Sequence, residues 1–153
     1  MPTLIFRKMS KNQQKIDSGW KLLDHTADIM IEVWGSSLED LFLNAAEAMT
    51  TVLVPCADVP RERELDVVLE ADAAEELLVS WLREILFHIQ TRGLLLVRAQ
   101  INDLSDTALK AKLYFGASLP ECEPDFEIKA VTYHGLSIQE QDGIYSARIV
   151  FDI

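Results

Sequence analysis

The chain has 153 residues, 49% of them hydrophobic, and 25 acidic against 14 basic side chains give a formal net charge of -11. That balance suits one folded domain with a sizeable core and argues against disorder. No apolar run reaches the roughly 20 residues that span a bilayer, and the acidity excludes a broad nucleic-acid face, which needs surplus Lys and Arg against phosphates.

The first 18 residues, MPTLIFRKMSKNQQKIDS, carry some basic charge and a short apolar patch at Leu4 to Phe6, with no long apolar core and no small-residue cleavage pattern. We therefore expect a flexible N-terminal extension over 1–18, no secretory signal, and a domain over 19–153 in the cytoplasm. Cys56 and Cys122 lie far apart and form no metal-binding spacing, so both are expected as free thiols in a reducing compartment.

Residues 28–34 (DIMIEVW) alternate, with Ile29, Ile31 and Val33 on one face and Asp28, Met30, Glu32 and Trp34 on the other, which predicts a strand with one apolar side. Gly35 ends it, and Ser36-Ser37-Leu38-Glu39 reads as a capping box opening a helix whose stripe is Leu38, Leu41, Phe42, Ala45, Met49 and Val52. A polar connection leads to a strand at 64–70. Asp72 is the expected cap of a second helix with the apolar set Leu77, Leu78, Trp81, Leu82, Ile85, Leu86 and Ile89, closed by Arg92 and Gly93.

The last third reads as β: strands at 94–104, 108–114, 126–133 and 136–139, a hairpin signal at Asp142-Gly143, and a final alternating strand over 145–153. The fold class is α+β: a single domain with two helices packed on a mixed or antiparallel sheet.

No Gly-rich phosphate loop, no G-x-S-x-G, no H-E-x-x-H and no credible nucleophile–base pair occur, so no enzyme class is suggested by motif. The distinctive groups sit at the two ends of the domain. The final strand carries Asp152 beside the carboxylate of Ile153, and if it lies next to the strand starting at Asp28, hard oxygen donors converge as Ca²⁺ or Mg²⁺ requires. Taken alone, Asp24-His25-Thr26-Ala27-Asp28 also reads as an Asx-type turn satisfying its own amides, and Asp152 as an ordinary solvated strand end. Lys129, Tyr133 and His134 read as a solvated strand face or as contacts for a partner or phosphate, and His88 as a cation near a helix C-terminus.

LDHTAD at 23–28, Trp34-Gly35, EIKAVTY at 127–133, the Leu-rich helix around Trp81 and the ending VFDI together closely resemble the archease family over about residues 19–153. The resemblance implies a fold of strand-helix-strand-strand modules and a protein that is not itself an enzyme. It implies a partner, an RtcB-type RNA-splicing ligase of tRNA splicing or RNA repair, whose guanylylation and multiple turnover the helper promotes. RNA is then met only through the ligase. The implied metal ligands are Asp28, Asp152 and the carboxylate of Ile153, with Ca²⁺ first and Mg²⁺ or Mn²⁺ as alternatives. Asp24 and His25 stand as supporting residues and Lys129 as a partner contact. The other readings open at this point are a metal-dependent hydrolase or phosphodiesterase using the Asp cluster, and a chaperone or adaptor module.

Overall fold

The computed structural model describes residues 3–5, 19–23, 28–54, 59–117, 119–122, 124, 127–133 and 135–153. In chain order their elements are β1 (Thr3–Ile5), β2 (Trp20–Leu23), β3 (Asp28–Gly35), α1 (Leu38–Leu53), β4 (Arg63–Glu70), α2 (Ala74–Arg92), β5 (Leu94–Leu104), β6 (Ala108–Ala117), a 3-10 turn (Pro120–Cys122), β7 (Ala130–Thr132), β8 (Gln139–Gln141) and β9 (Ile144–Asp152). The strands form two antiparallel sheets, β1-β5-β6-β4 and β2-β3-β9-β7, with β8 pairing β9 beside the second.

Alternation explains the second sheet. β3 turns Ile29, Ile31 and Val33 inward, and β9 turns Ala147, Ile149 and Phe151 inward beside them, all buried. At roughly 2 kcal/mol per large apolar side chain removed from water, this shared face fixes the register of the pair, because a slip of one residue would turn every core residue outward. The β8–β9 hairpin turns through Asp142 (φ 54°) and Gly143 (φ 80°), the two left-handed positions a type I′ turn demands.

Both helices touch both sheets and each other. α1 starts one residue later than the sequence suggests: Ser37 is the cap, accepting from the Asp40 amide at 3.0 Å. At α2 the expected cap is corrected as well. Ala73 occupies that position without a side-chain bond, and the Glu76 carboxylate reaches back to accept from the Asp72 amide at 3.0 Å. Gly93 closes α2 in the left-handed conformation (φ 64°) and donates to the His88 carbonyl. Trp81 links the helices through its indole N–H to the Phe42 carbonyl at 2.9 Å.

Thr3–Ile5 is the edge strand of the first sheet, paired with β5 from Thr3↔Gln100 to Ile5↔Arg98. Two further expectations are corrected. The strand expected over 126–133 shrinks to Ala130–Thr132, since the Gln90 side chain takes over the pairing of Ile128. Cys122 is buried and disulfide-bonded, not a free thiol; the chain's other cysteine, Cys56, lies outside the described residues.

Candidate metal centre

The two ends of the domain meet at one corner of the second sheet. β3 and β9 run antiparallel in unbroken register from Gly35↔Tyr145 to Asp28↔Asp152, so the two aspartates face each other across the strand pair. Directly opposed residues share a sheet face with Cβ atoms about 5 Å apart. Both aspartates are exposed, and Ile153 follows half-buried against the core. Two like charges so placed destabilise the sheet by something on the order of 1 kcal/mol.

The other side of Asp152 is held by β7. Ala130 is its register partner, and the Lys129 amide donates to the Asp152 carbonyl at 2.7 Å. Lys129, with its side chain exposed, therefore stands beside the end of β9. The segment that carries it is fastened to α2 by polar side chains. Gln90 donates to the Ile128 carbonyl at 2.9 Å and accepts from the Ile128 amide at 2.8 Å, Arg83 donates to the Val131 carbonyl at 3.1 Å, and Glu75 accepts from the Ile138 amide at 3.1 Å. A side-chain amide that both donates to and accepts from one residue imitates a neighbouring strand.

Asp28, Asp152, Ile153 and Lys129 are thus brought to one sheet corner, whereas Asp24, His25 and His134 lie outside the described residues. Among the described residues no group of three or more His, Cys, Asp or Glu is placed to hold a metal; the side-chain oxygens that meet at this corner are the two aspartate carboxylates. All are hard oxygens, the chemistry that suits Ca²⁺ or Mg²⁺ and relieves the opposed negative charge.

The same outer sheet face continues as a charged network. Glu32 accepts from Arg148 Nε at 3.1 Å and pairs with Lys21 Nζ at 3.5 Å. A cavity of about 300 Å³ opens there, bounded by Glu32, Ser146 and Arg148 of the sheet and by Gly135, Ser137 and Gln139. His88 lies near the C-terminal end of α2. It is buried, bonded to Glu84 at 3.2 Å and packed between the rings of Phe87 and Phe115.

The Archease protein family profile matches residues 20–153. The chain belongs to this family. It is 34% identical over 139 residues to protein archease of Methanosarcina mazei, covering 88% of this chain and 95% of that one. Protein archease of Pyrococcus furiosus is 35% identical over 140 residues, covering 88% and 98%. Among solved structures, Methanobacterium thermoautotrophicum protein 1598 superposes with a TM-score of 0.68 at 30% identity, covering 89% of this chain and 99% of that one. An archease from Thermotoga maritima, described as a possible chaperone, shares the fold with a TM-score of 0.62 at 23% identity over 86% and 94% of the two chains. No helix among the described residues is long and apolar enough to cross a membrane.

The polar clamps on α2 are what sequence reading missed. Gln90, Arg83 and Glu75 look like ordinary solvent-facing positions of an amphipathic helix, and no local pattern reveals that three of them grip one later segment.

Proposed function

We propose that this archease is a metal-binding protein cofactor of an RtcB-type RNA-splicing ligase, promoting its guanylylation and multiple turnover in tRNA splicing or RNA repair. The reading is supported by family membership and, above all, by one observation: Asp28 and Asp152 oppose each other at the sheet corner where the chain ends. Asp28, Asp152 and the Ile153 carboxylate are the proposed ligands of one divalent cation, Ca²⁺ first and Mg²⁺ or Mn²⁺ as alternatives, with Asp24 and His25 in support. A bound cation supplies a fixed positive charge that rigidifies the corner.

The chain's own residues supply the rest of the proposed work. The acidic corner of a protein of net charge -11 is drawn to a basic, phosphate-handling active site. Lys129, tethered by its amide to Asp152, offers a donor at the same corner. The helper acts by positioning groups for phosphoryl transfer to the ligase nucleophile, so RNA is reached only through the ligase.

The test is ligase guanylylation by GTP, followed by multiple-turnover joining, with wild-type protein and with Asp152→Ala. Loss of stimulation by the variant at unchanged fold is expected, and equal stimulation rejects the role of Asp152. Divalent-dependent cleavage of phosphodiesters by the isolated protein would replace this reading with a hydrolase. Suppression of aggregation without any ligase would replace it with a chaperone.

A further inference from the structure

On the outer face of the first sheet, two arginines share one aromatic ring. The Arg61 Cζ lies 4.5 Å from the centroid of Tyr114, and the Arg98 Cζ lies 4.9 Å from the same centroid. Each contact is a favourable cation–π pair taken singly. Two like charges held around a single ring also repel, and in this chain acidic residues are plentiful enough to neutralise them. Yet neither guanidinium has a carboxylate partner among the described residues. Glu64, opposite Tyr114 in the β4–β6 register, instead pairs with Lys112 at 3.5 Å.

Two local departures from regular structure bring the arginines there. In β5 the register shifts between Leu96, which faces Phe115, and Arg98, which faces Tyr114, leaving Val97 as an extra residue. Without that bulge Val97 would face Tyr114 and Arg98 would turn toward the core. In β6, Gly116 has no side chain where one would collide with the Pro60 carbonyl oxygen and with Val59 Cγ2. The segment entering β4 therefore crosses close over β6, with the Glu62 amide donating to the Phe115 carbonyl at 2.8 Å, and this crossing sets Arg61 on the ring.

The third observation points to a ligand. Arg98 Nε is buried without a hydrogen-bond partner, although a buried charged donor left unpaired is costly. An oxyanion accepting from Arg98 Nε would satisfy that donor and offset the positive charge gathered around the ring.

We propose that the Arg61–Tyr114–Arg98 stack is a binding site for a single phosphate group, separate from the acidic corner of the other sheet. A single group is the size the site allows, because the neighbouring Glu62, Glu64 and Asp66 exclude a long run of phosphates.

The test follows the arginine Nε–Hε resonances of the full chain by NMR while inorganic phosphate is added, with chloride at matched ionic strength as control. A saturable shift of the Arg98 signal with phosphate alone is expected, weakened roughly tenfold or more by Arg61→Gln. Arg61 is exposed, so its replacement leaves the fold intact; Arg61→Lys, which keeps charge but loses the fork, is expected to weaken binding by a smaller factor. Linear shifts that are equal in phosphate and chloride, or unchanged affinity in Arg61→Gln, overturn the proposal. Two further arms identify the source of the group. Uridine 5′-monophosphate equal to or tighter than inorganic phosphate assigns a nucleotide. A short single-stranded RNA at least tenfold tighter than either overturns the assignment to a single phosphate group.

Discussion

Replacing Glu47 by Gln should stabilise the protein at pH 8 and leave it unchanged near pH 4. Glu47 sits on α1 with only 8% of its surface exposed, and burial alone pushes its carboxyl from 4.5 up to about 7. A folded-state value above the unfolded one means that the folded protein holds the proton more tightly. The neutral form therefore carries no penalty below about pH 4.5. As pH rises from there through about 7, stability is lost, and above 7 the full cost of a buried carboxylate remains. At about 1.4 kcal/mol for each tenfold change in proton affinity, the cost approaches about 3 kcal/mol. For a chain of this size that corresponds to a Tm change of roughly 6–12 °C. Thermal unfolding of wild type and Glu47→Gln at pH 4, 6 and 8, followed by circular dichroism, reads it directly. A difference that does not grow with pH, or a variant less stable at pH 8, refutes the reasoning.

The remaining predictions use the same structure. Thr50, one turn along from Glu47, buries its hydroxyl without a hydrogen-bond partner, so Thr50→Val should raise stability by about 1 kcal/mol in urea unfolding. Gln90→Ala removes both bonds to Ile128; it should cost about 1–2 kcal/mol and speed amide exchange over 128–132 more than in β3, and uniform exchange would contradict the clamp. Reducing the disulfide at Cys122 should make unfolding under reductant easier by about 2–4 kcal/mol. Equal stability with and without reductant would set that bond aside as a stabilising feature.

The core strand, both helices and the final strand were legible because each buries one face, so that period alone reveals them. Ile29, Ile31 and Val33 alternate without interruption, and Gly93 and Asp142-Gly143 mark breaks that only left-handed backbone satisfies. Division into two sheets was not legible, because pairing partners far apart in sequence leave no local trace. β2 and β1, four and three residues long, are too short for periodicity to register. Glu47 falls on the polar side of the α1 stripe drawn from sequence, but that helix contacts both sheets, which buries the polar side as well. At the candidate site, the convergence of Asp28 with Asp152 was conditional on strand order, and the register supplies it. The bulge at Val97 that turns Arg98 outward leaves no local signal in the sequence, since it depends on β6 lying alongside.

The central claim is that aspartates from the two ends of the domain share one cation, and calorimetric titration of Ca²⁺ into wild type, Asp28→Asn and Asp152→Asn tests it most directly. A single site per chain in the wild type, weakened by roughly tenfold or more in each variant, is the predicted result. Equal Ca²⁺ affinity in all three proteins, or no binding in the wild type, would contradict it.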